Sequence, residues 1–425
     1  MISSITGSQP GSIRPLRLPI DAMQQAFAAA DVSTHSRVFS MLRPGLMRTP
    51  LIPRLFRYPA TDLYAGPNLL SIPGGLTIVH NPKAGNNGNG SYANVIERTI
   101  DAARSTGDIA IRGAVGMLQT LPERRERISY ISDYLNRIPE TGWHYMLVVG
   151  GDATFADVVT AIAKSQVANR VIAVPLMGGT ANDGGRMHGA ARSPDKLLDF
   201  LKHAKPQRLD VGRVWLNGVE QEAYLTQSFT FGMSGELFYQ MEQRRAELSG
   251  RYKNLQYIPT LLREIRDTKF FKVRVAGNEL ITGEVVVTGS TGLGGITNVP
   301  LRKDGFMTYV IPVDPRLPGV LSITGSTILV EAVLRKFVGL AGFKELALAG
   351  RFLTMSPERQ VQLPLNDELE IFVTDNSEAP KIRAVLNGDS IDENVEHVRV
   401  RSLGRPVTTL ALPDSELAIR QRPLG

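Results

Sequence analysis

The sequence predicts an α/β chain in two parts: a mostly parallel sheet wound with helices, then an antiparallel, β-rich second part. Between residues 76 and 189, short apolar runs alternate with glycine turns and with stripes at helical spacing. Two of those runs, 145–149 and 171–176, end in glycine turns that each open a helix. Beyond Pro206 the pattern changes to short alternating runs bounded by Gly, Asn and Pro, as expected of antiparallel strands.

Residues 1–72 read as an N-terminal extension, partly disordered. The first twenty are rich in Ser, Gly and Pro, carry Arg14 and Arg17, and contain no acid before Asp21. They lack the apolar centre of a secretory signal, so a loose terminus is expected, with a targeting or export signal left open. From 33 to 61 there is again no acid, while Arg37, Arg43, Arg48, Arg54 and Arg57 alternate with apolar residues. Such an arm suits an anionic membrane surface, or packs on the body with its arginines solvated. Pro44, Pro50 and Pro53 prevent one long helix.

The α/β part is expected over 73–205. Residues 76–80 give its first strand, followed by Asn81-Pro82-Lys83-Ala84-Gly85 and a loop rich in Gly and Asn. Tyr92, Val95, Ile96, Ile100 and Ala103 form one core-facing helical stripe; Ile128, Ile131, Tyr134, Leu135 and Ile138 form another. The run 145–149 then breaks at Gly150-Gly151-Asp152-Ala153-Thr154, after which Val158, Val159, Ile162 and Ala163 recur at helical spacing. The run 171–176 repeats the arrangement and ends at Gly178-Gly179-Thr180-Ala181-Asn182-Asp183. Two such turns offer bare N–H groups and two positive helix ends to an anion. Each also carries an acid, Asp152 or Asp183, which a phosphate would repel unless a cation lay between them. That pairing points to a magnesium–nucleotide site.

The β-rich part is expected over 206–398, with strands at 223–231, 271–275, 284–288, 306–311, 369–373 and 382–386. Helices are expected near 236–247, 255–265 and 326–338. Thr291-Gly292-Leu293-Gly294-Gly295 opens no obvious helix and reads as a strand-end turn. Residues 399–425 are expected to return to the first part and end in a loose tail.

Composition narrows the class. Apolar residues make up 43% and charged ones 21%, and no apolar run is long enough to span a bilayer. The absence of cysteine excludes disulfides and thiolate metal sites, and six scattered histidines, His144 and His188 among them, show no ligand spacing. A net charge of +7 favours polyanions, but no zinc-finger, helix-turn-helix or ribonucleoprotein pattern accompanies it, so nucleic acid is not an expected partner.

GGDATFADVV and GGTAND resemble the GGDGT and GTxND loops of the diacylglycerol kinase catalytic domain, a superfamily of bacterial lipid kinases, sphingosine and ceramide kinases and, more distantly, NAD kinases. The resemblance implies a Rossmann-like nucleotide-binding domain followed by a β-rich, sandwich-like lipid-substrate domain, with the active site in the cleft between them. It implies ATP and Mg2+, a lipid acceptor with diacylglycerol the default, and a cytoplasmic protein peripherally associated with membrane; a homodimer is left open. Asn81, Lys83 and Gly85 match the family's NPxSG loop, with Ala84 in place of its serine. Gly150, Gly151, Asp152, Thr154, Gly178, Gly179, Thr180 and Asn182 would cradle the nucleotide, Thr154 touching phosphate or capping the helix. Asp152 and Asp183 would hold magnesium, or cap helices instead. Asp304 matches an acid associated with a second, structural magnesium. Asp389 stands where the family's DGE element places the proposed base, although Asn387-Gly388 before it is also an ordinary hairpin turn.

Three departures bear on activity. Ala153 replaces the third glycine of GGDGT, Met177-Gly178 lengthens the second loop, and Asn387 lacks the charge of the family's DGE aspartate. Asp157 falls where the family has Glu and is expected to face solvent. The expected function is lipid phosphorylation; the alternatives are a catalytically impaired lipid- or nucleotide-binding module, or an NAD-kinase-like enzyme.

Overall fold

The computed structural model describes residues 74–82, 91–106, 111–121, 123–138, 142–178, 182–191, 196–243, 269–290, 292–293, 297–298, 305–312, 357–379 and 381–417. The arginine-rich arm and the helices expected near 255–265 and 326–338 lie outside these residues. All the described residues belong to one compact unit, Asp62–Gly425.

The first sheet has six strands: β1 (Gly74–His80), β2 (Ile111–Gln119), β3 (Trp143–Gly150), β4 (Val171–Met177), β5 (Lys205–Leu209) and, from the far end of the chain, β19 (Val407–Ala411). Their order is β2-β1-β3-β4-β19-β5, parallel except for the antiparallel pair β19–β5. Its helices are α1 (Ser91–Ser105), α2 (Arg124–Leu135), α3 (Asp152–Lys164), α4 (Asp183–His188) and α5 (Leu197–His203).

Both faces of β3 are covered, which is why it reads as an unbroken apolar run. Tyr145, Leu147 and Val149 join a core with Ile96 and Ile100 of α1 and Phe200 of α5. Met146 and Val148 join the opposite core with Ile128 and Ile131 of α2 and with α3. That second core continues without a break into Phe229, Phe231 and Phe271 of the β-rich part, and this position explains α3. Every described residue from Thr154 to Ile162 is buried, far more than one amphipathic stripe requires, as befits a helix enclosed on all sides. Val95, expected in the core, is 46% exposed, because the buried face of α1 runs through Ile96, Ile100 and Ala103.

The β-rich part is one branched antiparallel sheet of eleven strands. Its members are β6 (Gly212–Leu216), β7 (Val219–Glu220), β8 (Ser228–Gly232), β9 (Phe271–Val275), β10 (Asn278–Thr288), β13 (Phe306–Pro312), β14 (Gln360–Leu363), β15 (Glu368–Asp375), β16 (Ala384–Leu386), β17 (Asp389–Ile391) and β18 (His397–Ser402). The long strand β10 is the branch point: its first half pairs with β9, its second half with β8, and β13 also pairs with it. A two-stranded ribbon, β11 (Gly292–Leu293) with β12 (Thr297–Asn298), follows β10, where a strand-end turn was expected. Helix α6 (Met233–Gln243) leaves β8 and packs on β16 and β17.

Candidate active site

The chain runs from β1 outward to β2, then returns across β1 to β3, so connections leave β1 and β3 in opposite directions. In a parallel sheet this switch opens a crevice at the carboxyl ends of the two strands, the usual place for a ligand. Three loop ends meet there. Asn81 N–H donates to Val149 O at 3.0 Å, Asn81 Nδ2 donates to Thr154 Oγ1 at 2.9 Å, and Gly178 N–H donates to Gly150 O at 2.9 Å. Thr154 is therefore buried and engaged by Asn81. A Cβ on Gly150 would fall 2.7 Å from Thr154 Cβ, so this glycine allows helix α3 to start tight against β3. Gly151 is extended and is the N-cap of α3, without a side-chain cap.

Ala153 lies in the first turn of α3 and is not among the residues with positive φ. The methyl group there is unstrained, and alanine suits a helix better than glycine. The replacement of the family's third glycine by Ala153 is accommodated because the helix begins one residue earlier, at Asp152.

Asp152 and Asp183 are brought together. The Asp152 carboxylate accepts from the N–H of Asp183 at 3.1 Å and of Gly184 at 2.9 Å, so it caps the start of α4 from across the crevice. Burial pushes the Asp152 carboxyl well above the usual range, and the Asp183 charge adds to this, against the two N–H groups and Arg186. Asp183 is buried, with Arg186 Nη1 at 3.4 Å from its Oδ1. Asn182, before it, is in the left-handed region at φ 55°. Lys83, Gly85, Gly179, Thr180 and Asp304 lie outside the described residues.

Two acids held together at a strand edge fit a magnesium ion. This ion takes one or two carboxylates and completes its shell with water and substrate phosphates, so no third protein ligand is required.

The β-rich part supplies the other wall. β16 and β17 are joined by the two-residue turn Asn387-Gly388, both at positive φ, as a tight hairpin demands. A Cβ on Gly388 would lie 3.9 Å from Asp152 Cβ, so the hairpin tip rests on Asp152. The ribbon strand β11 packs against α4 from the same part. Asp389 follows the tip, with its side chain 34% exposed and Oδ2 2.7 Å from Arg124 Nη2.

Asn387 is fully buried. Its Oδ1 accepts from the N–H groups of Thr226 and Gln227, at 3.0 and 3.1 Å, and its Nδ2 donates to Tyr224 O at 2.7 Å. The missing charge is thus explained by packing: the position needs a donor as well as an acceptor.

Sequence reasoning missed four residues and misplaced a fifth. Asp157, expected to face solvent, is 0% exposed and accepts from Arg124 Nε at 3.1 Å and Arg127 Nε at 2.8 Å. Burial pushes its carboxyl up to about 6, against the pull of the two guanidiniums. Arg124 and Arg127 could have been found as an i, i+3 pair in Arg124-Arg125-Glu126-Arg127, which places both on one helix face. Gln227 is buried against Gly184 with no partner for its Nε2, and no local signal marked it. Glu284, buried on β10, also carried no signal. His144 and His188, set aside as incidental, are buried structural groups. His144 Nε2 lies 3.0 Å from Thr77 Oγ1, and His188 Nδ1–H donates to Gly184 O at 2.6 Å. Burial lowers both imidazoles to about 4.

Fold and site define a two-part α/β-plus-β protein with an acidic crevice at the switch point, closed by a hairpin from the second part. Residues 75–214 match the model of the diacylglycerol kinase catalytic domain family. The crystal structure of a "putative diacylglycerol kinase" from Bacillus anthracis str. Sterne aligns with TM-score 0.51 at 18% identity, covering 80% of this chain and 98% of that one. A second crystal structure, of a diacylglycerol kinase from the same organism, aligns with TM-score 0.48 at 17% identity over 80% of this chain and 98% of that one. At such identity the first of these likenesses is one of fold. No curated protein matches the sequence.

Proposed function

We propose that this protein transfers the γ-phosphoryl group of ATP to a lipid hydroxyl, with diacylglycerol the default acceptor. The observation that carries the reading is the Asp152–Asp183 pair at the β1/β3 switch point, with the Asp389 hairpin resting on Asp152. Phosphoryl transfer needs a place for the phosphates, neutralisation of their charge and an oriented nucleophile.

In this reading the strand-end turns receive the phosphates, and Asp152 and Asp183 would hold magnesium, which would supply charge neutralisation for the transferring group. Asp389 takes the acceptor's side. Its carboxylate accepts the hydroxyl hydrogen bond and then the proton, as the lipid oxygen bonds to the γ-phosphorus and the bridging P–O bond breaks. ADP departs with that electron pair. Because the transition state is loose, orientation of the hydroxyl matters more than the strength of the base. The departures at Ala153 and Asn387, which favoured a non-catalytic module, both have structural reasons.

The test follows label from γ-labelled ATP into a panel of diacylglycerol, sphingosine, ceramide and NAD. Magnesium-dependent label in a lipid is expected. Asp152→Asn and Asp183→Asn should each lower turnover on the order of 100-fold or more while leaving the protein folded. Label in NAD alone would replace the acceptor class, and no transfer by the wild type to any member would overturn the kinase reading.

A further inference from the structure

We propose that Arg124 and Arg127 are positioning residues that fix Asp389 over the crevice by tying its hairpin to the buried Asp157. The proposal rests on the assignment of Asp389 above and deepens it, by naming what sets the place of that carboxylate.

The arrangement spans both parts of the molecule. Arg124 is the first residue of α2 and Arg127 lies one turn on, so both side chains leave the same face. Each guanidinium turns one edge to Asp157 on α3, through Nε, at 3.1 and 2.8 Å. Each turns its far end to Asp389 Oδ2, at 2.7 Å from Arg124 and 4.0 Å from Arg127. Two cations thus lie between two carboxylates, one sealed in the core of the α/β part and one on the hairpin of the β-rich part. Glu222 adds a further negative charge facing Arg124.

A rigid, planar fork can serve two acids at once, which a lysine's point charge cannot do with the same geometry. The arginine side chains are only 18% and 12% exposed, so this is not a solvated surface pair of negligible effect.

The hairpin is gripped from its own part as well. Ser390 bonds Glu242 of α6, and Arg383 pairs with Glu236 of α6 and with Asp392. Those contacts set the hairpin relative to α6. The arginine pair sets it relative to α3, whose first residue is Asp152. Asp389 and the acid pair therefore stand in register because Arg124 and Arg127 link α3 to the hairpin. A misplacement of about 1 Å in a reacting group costs on the order of 100-fold in rate.

Arg124→Ala would leave the buried charge of Asp157 with only one of its two guanidinium partners. The test therefore uses Arg124→Gln combined with Asp157→Asn, which removes the buried charge together with the closer of the two guanidiniums at Asp389, and Arg124→Lys alone. Lipid phosphorylation and amide hydrogen exchange are measured on the full chain. For the folded double variant, kcat is expected to fall about 10- to 100-fold, with KM for ATP within about twofold. Exchange at residues 384–391 should quicken while that of α3 holds. Arg124→Lys should lie between, since it keeps the charge but loses the fork.

Unchanged kcat and unchanged hairpin exchange in the double variant would overturn the proposal. So would a loss in kcat with the hairpin exchanging as in wild type, because the residues would then act otherwise than by holding it. Should the wild type transfer no phosphate, the kinase reading fails, and hairpin exchange alone still decides whether the arginines hold Asp389 in place.

Discussion

Asn387 makes four hydrogen bonds with one side chain, and their direction is what forbids a charge there. Nδ2 donates to Tyr224 O, while Oδ1 accepts from Thr226 Oγ1 and from the N–H groups of Thr226 and Gln227. An aspartate of the same shape would set an oxygen against the Tyr224 carbonyl in a buried place. Asn387→Asp, although it recreates the acidic residue of the family's DGE element, is therefore expected to lower stability by about 1–3 kcal/mol without raising turnover. Urea unfolding beside the lipid assay checks this, and a faster enzyme would return the position to catalysis. Asp152 and Asp183 were legible in the sequence because each stands where a local pattern breaks, at the end of an apolar run and the start of a helix. Asp157 was not. It sits among helical residues, and its partners Arg124 and Arg127 come from another helix some thirty residues away. Only the packing of α2 on α3 makes it a buried ion-pair centre instead of a solvated acid.

At the scale of elements, α6 begins on a buried acid. Glu284 of β10 stands opposite Gly232, and its Oε2 accepts from Ser234 N–H at 2.7 Å in the first turn of the helix. Burial pushes its carboxyl up to about 8 from an ordinary 4.5, with only the Ser234 bonds pulling back. The folded state thus holds this proton more tightly than the unfolded chain does. The stability linked to it is full below about pH 4.5 and is lost as pH rises toward 8. Glu284→Gln keeps an acceptor for Ser234 and cannot ionise. It is expected to melt like the wild type near pH 5 and to be more stable by a few kcal/mol near pH 8. Scanning calorimetry across that range decides; parallel curves would show that the carboxyl ionises in the fold as readily as in the unfolded chain. Nothing local in the sequence marks Glu284, whereas the strand carrying it was plain from Val285, Val286 and Val287. Strand pairing was equally hidden. Residues 271–275 and 306–311 announced themselves as strands, but that β10 would pair with β9, β8 and β13 depends on contacts far apart in sequence.

The molecule as a whole is sewn together by two crossings that run side by side. The chain leaves the first sheet after β5 and enters the second at β6; it comes back from β18 to β19. Val211 N–H donates to Gly404 O and Leu403 N–H to Val211 O, while Arg405 Nε meets the buried Asp210 at 2.7 Å. The returning strand is not an edge. β19 lies between β4 and β5, and Thr409 Oγ1 donates to Ala173 O at 2.8 Å. Leu410 enters one core, while Val407 and Ala411 enter the other. Just beyond it, Leu412 N–H donates to His188 O at the end of α4, the helix that opens with Asp183. A chain ended at Leu403 would leave β5 without its partner and one edge of β4 open, uncover both cores and take Arg405 away from the buried Asp210 carboxylate. Since the whole stability of a domain is about 5–15 kcal/mol, this loss is expected to abolish cooperative unfolding of the α/β part and, with α4 unsupported, magnesium-dependent transfer as well. Calorimetry of the truncated chain, together with proteolysis between β4 and β5, measures the outcome. A single sharp transition with wild-type protection would mean that the first sheet closes without β19 and that Asp183 is held from its own side alone.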